Sequence, residues 1–161
     1  MLSARSYQNV DARIYGGEFL ASYILTRNLS ISTDLSYIRG TRDVVPSQGI
    51  LTPDLAEIPP MRSSTRIRYV ADRYSAEIEG TFSGEQRDVD TSLGERKTPG
   101  YGLANIRAST HFWKMHLRLA LNNLFNRAYY EHLSYQRDPF RSGALVYEPG
   151  RNFYINISFR H

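Results

Sequence analysis

Cysteine is absent from this 161-residue chain, which excludes disulfides and thiolate metal sites. Also missing is any run of about 18 apolar residues, so no segment could cross a membrane as a helix. Tryptophan occurs once. The residues after Met1 form no apolar leader. The net charge is +4, yet Arg is interleaved with Asp and Glu and no basic run or recognition module occurs, which argues against a nucleic-acid partner. What the chain does have is tyrosine, 12 of them, in a sequence of mean hydropathy −0.46. A helical membrane protein does not have that value, but a barrel of half-apolar strands can.

The dominant period is two. In Arg13–Leu25 one face carries Tyr15, Phe19, Ala21, Tyr23 and Leu25. Leu29–Thr41 sets Leu29, Ile31, Thr33, Leu35 and Tyr37 against Ser30, Ser32, Asp34 and Ser36. The same alternation recurs in Met61–Ala71, Tyr74–Arg87, Gly100–Phe112, Met115–Leu121 and the stretch from Phe153 to Phe159, which predicts seven strands. Their connections alternate as well. Thr26-Arg27-Asn28, Asp72-Arg73 and Trp113-Lys114 are short turns, whereas about 44–60, 88–99 and 131–150 are long and rich in Pro, Gly, Asp and Ser. Short turns at one end and long loops at the other describe an all-β, antiparallel up-and-down transmembrane β-barrel segment.

A two-residue turn at Asp72-Arg73 sets Arg68 opposite Glu77 and Arg66 opposite Glu79. Such cross-strand charges are favourable neighbours in a wet lumen but costly in a dry core. The apolar face is therefore expected against outer-membrane lipid. Tyr23, Tyr69, Tyr74, Phe112 and Trp113 sit beside the short turns, with Tyr15, Tyr37 and Phe82 about eight residues higher. At ~3.4 Å per residue and ~40° tilt the two levels are roughly 20 Å apart, close to the ~25 Å between aromatic girdles.

Two stretches carry a resemblance. Asn122-Asn123-Leu124-Phe125-Asn126-Arg127-Ala128-Tyr129-Tyr130 resembles a motif near the end of TonB-dependent outer-membrane receptors, and Glu148-Pro149-Gly150-Arg151-Asn152-Phe153-Tyr154 resembles the lead into their last strand. Ile14-Tyr15-Gly16-Gly17-Glu18, Ile58-Pro59-Pro60-Met61-Arg62 and Thr98-Pro99-Gly100-Tyr101 fit the same family in order and spacing. The resemblance implies that residues 1–161 are the carboxy-terminal part of a larger, 22-stranded barrel, with plug domain and signal peptide absent. It further implies uptake of a scarce ligand, an iron–siderophore, cobalamin or another metal complex, driven by the TonB complex through the missing amino-terminal part. The family usually ends in an aromatic residue, where this sequence has His161.

An odd number of strands leaves two open edges, so the isolated segment is expected to be inactive and prone to edge-to-edge association. A small outer-membrane barrel serving as an adhesin or structural protein is the alternative. A soluble lipocalin-like binder is a third reading, disfavoured by the charged inner face.

No nucleophile motif, phosphate loop or free carboxylate pair suggests an enzyme, and no cofactor is implied. His111 and His116 face each other across the Trp113-Lys114 turn, a polar rim pair without further ligands for a metal. Ligand contact is expected from the long loops, at Tyr130, His132, Tyr135, Arg137, Phe140, Arg141 and Tyr147, an aromatic and basic mixture suited to an anionic or metal-chelate ligand.

Overall fold

A computed structural model describes residues 9–137 and 146–159, the side chains of 135–137 excepted. Among the described residues there are seven strands: β1 (Ala12–Ile24), β2 (Leu29–Arg42), β3 (Arg62–Val70), β4 (Tyr74–Ser83), β5 (Tyr101–Phe112), β6 (Met115–Asn122) and β7 (Asn152–Phe159). They form one sheet in sequence order, every neighbouring pair antiparallel. Three short 3-10 turns, Pro46–Gln48, Thr91–Leu93 and His132–Arg137, lie in the long loops. No helix among the described residues is long and apolar enough to cross a membrane, which says nothing of strands.

The burial pattern is inverted relative to a soluble domain. Tyr23, Tyr74, Phe112 and Trp113 at the turn end are exposed, Trp113 at 87%, and so are Tyr15, Tyr37 and Phe82 further up. Tyr69 and Tyr74 stack across the β3–β4 turn, ring centroids 5.9 Å apart. Buried side chains are instead mostly polar, among them Ser64, Glu79, Asp90, Glu95, Asn123 and His132. A sheet whose apolar side faces outward and whose polar side faces inward suits a lipid exterior and a hydrated lumen.

Strands β1 and β2, at 13 and 14 residues, exceed the 9–11 or so that a tilted strand needs to span a bilayer. Their surplus rises at the loop end, where Arg39 and Arg42 reach the loops. Gly16 has a specific reason: a Cβ there would stand 2.3 Å from the Tyr37 carbonyl oxygen, so only glycine lets β1 lie this close to β2.

One sequence expectation is corrected. β4 ends at Ser83 rather than running to Arg87, because Gly84 N–H turns to the Met61 carbonyl and Gln86 pairs with Thr98 inside the loop. Arg68 faces Glu77 in register, as expected, and the Glu77 carboxylate bonds Arg107 on β5. His161 lies outside the described residues.

Candidate functional site

Two polar constellations sit on the inner side of the sheet. The first is the strand ladder. Arg66 on β3 faces Glu79 on β4, with Nε to Oε1 at 2.9 Å, and its other nitrogen reaches Asp34 on β2 at 3.2 Å. Arg107 on β5 forks between Glu77 and Glu79, 2.8 Å to each, and Asn105 donates to Glu79 at 3.0 Å. Period-two alternation puts all of these on one face, and the fork geometry of guanidinium lets one arginine serve two carboxylates. The arginines remain about two-fifths exposed, so water shares their solvation.

The second constellation lies among the loops. Asp90, fully buried, accepts from Arg42 at the top of β2, from Thr52 in the first long loop, and from the Ser92 N–H that it caps. Glu95 accepts the backbone N–H of Asp90 at 2.7 Å and that of Glu57 at 2.9 Å. Its Oε1 also lies 2.9 Å from His132 Nε2, while His132 Nδ1 meets the Thr98 hydroxyl at 3.1 Å. Burial pushes the Glu95 carboxyl up, but the bonds from His132, Asp90 and Glu57 outweigh it and hold the group below its ordinary 4.5. Arg39 adds Asp54 at 2.7 Å and Asp88 at 2.5 Å. Three loops are thereby tied into one body.

The Asn-rich motif after β6 forms a third element. Asn123 and Asn126 take φ of 50° and 52°, a left-handed conformation that Asn tolerates. The Asn123 side chain bridges its own turn, donating to the Arg127 carbonyl and accepting the Arg127 N–H, both at 2.8 Å, and Asn105 accepts its backbone N–H at 2.9 Å. Asn126 accepts the Arg151 N–H at 2.9 Å. The motif thus joins the end of β6 to the start of β7, and Tyr129 packs on the buried Tyr101 ring at 4.5 Å.

The expected ligand-contact residues separate. Tyr130 and Tyr147 meet edge to face at 5.5 Å, and Tyr147 is exposed. His132 is only 2% exposed and faces Glu95 and Thr98. Tyr135 and Arg137 belong to the His132–Arg137 turn and are described in their backbone alone, and Phe140 and Arg141 lie outside the described residues. His111 and His116 pair in register, but among the described residues no three metal-ligating side chains converge. The sequence reading missed Asp90, Glu95 and Arg42. The signal for Asp90 was present, since Asp-Thr-Ser-Leu-Gly is a capped turn ending in a left-handed Gly94.

Comparison with known proteins follows the same lines. Residues 2–126 match the family described as TonB dependent receptor-like, beta-barrel. The chain belongs to that family. The TonB-dependent heme receptor A of Haemophilus influenzae is 27% identical over 169 aligned residues, covering 95% of this chain and 21% of the relative. The copper transporter OprC superposes with a TM-score of 0.77 at 29% identity, covering 94% of this chain and 24% of that one. The FrpB iron transporter from Neisseria meningitidis, at 16% identity and TM-score 0.68, covers 92% and 24% and shares the fold. This TonB-dependent receptor segment spans about a fifth of the curated relatives it matches.

Proposed function

We propose that this TonB-dependent receptor segment is the carboxy-terminal wall of an outer-membrane receptor in a Gram-negative-type bacterium. The whole receptor takes up a scarce metal complex, such as an iron–siderophore, heme, cobalamin or a copper chelate. It works with a plug in its lumen and with the TonB complex. The observation that carries the reading is the inverted sheet: ion pairs Arg66–Glu79 and Arg107–Glu77 on one face, exposed Tyr, Phe and Trp on the other. Such a wall suits a 22-stranded barrel completed by further strands on the open edges of β1 and β7. The heme, copper and iron proteins it resembles support metal-complex uptake as the class.

Within that reading the ligand meets the loop end. Tyr130 and Tyr147 present an aromatic pair, and Tyr135, Arg137, Phe140 and Arg141 belong to the same loop. His132 enters as a support that fixes the loop rather than as a contact. No step of covalent chemistry is assigned to the segment.

The test is direct. Antibody raised to the segment should mark a band several times larger than 18.5 kDa in the outer-membrane fraction of the source cell. Deleting that receptor should abolish growth on one metal complex supplied as the sole source, and so should loss of TonB. A band only in the soluble fraction, or growth on every complex tried, would retire the proposal. Tyr130→Ala with Tyr147→Ala should weaken binding of the transported complex, and unchanged affinity would remove the aromatic pair from the ligand site.

A further inference from the structure

The ladder is not neutral along its length. On the inner face of β2–β6, Asp34, Arg62, Arg66, Glu77, Glu79 and Arg107 all have ionic partners, and Arg42 has Asp90. Arg68 and Arg118 stand apart. Among the described residues neither makes an ion pair or a side-chain hydrogen bond, although both sit on the same face as the rest.

The register explains how they come together. One row runs Arg68–Glu77–Arg107–Ala120–Tyr154 across β3 to β7. The next row toward the turns runs Ser75–Ser109–Arg118–Asn156 across β4 to β7. Glu77 faces Arg68 in register but bonds Arg107, which leaves the Arg68 guanidinium without a hydrogen-bonded carboxylate. Ala120, the smallest side chain of its row, leaves a hollow between Arg107 and Tyr154. The result is a cavity of about 280 Å³ whose charged lining is Arg68, Arg107 and Arg118 against Glu77 alone, with Tyr154 and Asn156 beside them.

Two guanidinium groups cost little in an empty, wet lumen. Once the lumen is filled and water is displaced, an unpaired buried cation costs several kcal/mol unless an anion meets it. The cavity is slightly smaller than the ~300–1,000 Å³ that holds a small-molecule ligand, so a metal chelate does not suit it. A side-chain carboxylate does, because guanidinium binds carboxylates in a bidentate fork. Tyr154, 61% exposed beside it, offers an amphipathic ring to a covering polypeptide. About four-fifths of the relatives' length lies outside this segment, so the covering chain has an evident source.

We propose that Arg68 and Arg118 form a seat for acidic side chains of the plug domain, at the turn half of the lumen wall. The inference rests on the receptor reading above and adds to it a polarity: the loop half of this wall is self-compensated, and the turn half grips the plug.

The experiment uses the full receptor in outer membranes. Arg68→Lys and Arg118→Lys, made singly, keep the charge and supply a primary amine. A water-soluble carbodiimide then joins that amine to a carboxylate it touches, forming an amide while the reagent takes up the water as its urea. Mass spectrometry of the digest is expected to find position 68 or 118 joined to an Asp or Glu of the plug. A cross-link to Glu77 alone, or none, overturns the proposal. In parallel, Arg68→Glu with Arg118→Glu should speed protease release of the plug about tenfold, the loss of charge-assisted bonds setting the scale. Reversing the cross-linked plug carboxylate to Arg should restore it, while the barrel stays folded throughout. Unchanged release also overturns the proposal. Binding of inorganic phosphate that the double variant abolishes, without a plug cross-link, would assign the seat to a free anion and overturn it likewise. If uptake and membrane location hold while these tests fail, only this inference falls. A receptor absent from the outer membrane removes both.

Discussion

The strand ladder and the loop cluster use the same side chains in different solvents. In the ladder, the side chains of Arg66 and Arg107 are 41% and 42% exposed, and Glu79 has four donors from two neighbouring strands, Ser64 and Arg66 on one side and Asn105 and Arg107 on the other. In the loops, the side chains of His132 and Glu95 are 1% and 2% exposed, and Asp90 is fully buried beneath Arg42. Redundancy and water make each ladder contact cheap to lose. Burial makes each loop contact costly to break, because a charge left behind has no solvent to turn to. The strands draw their stability from the hydrogen-bonded ladder and the outward apolar face. The loops have few buried apolar residues, Ile50 and Val89 among them, and depend on polar bonds instead.

The sharpest way to break that contrast is His132→Leu. The substitution keeps bulk and leaves the Glu95 carboxylate facing a hydrocarbon at 2% exposure. Stripping one hydrogen-bond partner from a buried carboxylate costs about 3 kcal/mol, enough to speed local opening roughly 10²-fold. The reporters are the Glu57 and Asp90 amides, which both donate to Glu95. Their hydrogen exchange should accelerate while amides in the middle of β3 and β4 keep their rates. Equal acceleration in the strands would mean that loops and wall open as one unit.

Acid should separate the two regions as well, with a smaller effect. Glu95 is held below 4.5 in the folded loops. A depressed carboxyl contributes stability that is fully present above its unfolded value and is lost as pH falls through the folded one. The loop cluster should therefore loosen below about pH 4.5, read as exchange protection at Glu57 and Asp90 corrected for the intrinsic rate. Glu95→Gln should flatten that dependence. An identical pH profile in the variant would show that another group governs the loops.

How much of this was legible beforehand follows from which contacts obey a period. Alternation fixed the seven strands and their faces, because a one-residue slip would turn every apolar side chain inward. It also set Arg66 against Glu79 correctly. It could not say that Glu77 would turn to Arg107, since a middle-strand carboxylate has a neighbour on either side and register ranks neither. The loop cluster obeys no period: Arg42 and Asp90 are 48 residues apart, Glu95 and His132 are 37. His132 stood out in sequence as a ligand-contact residue, yet its ring is spent on Glu95 and Thr98. Asn123 and Asn126 were visible as a motif, but their work as a clasp between β6 and β7 shows only in the structure.

The smallest effect is the one that tests the ladder side of the comparison. Arg66→Gln removes a cation that serves both Asp34 and Glu79. Glu79 keeps Arg107 at 2.8 Å and Asn105 at 3.0 Å, and Asp34 is 39% exposed and can turn to water. The loss should stay within about 1 kcal/mol, the range of partly exposed pairs, in urea unfolding of the detergent-folded receptor. A loss of about 3 kcal/mol or more would put the ladder in the same class as the loop pairs. The lumen wall would then be effectively dry at Arg66, which would also raise the cost of leaving Arg68 without an anion.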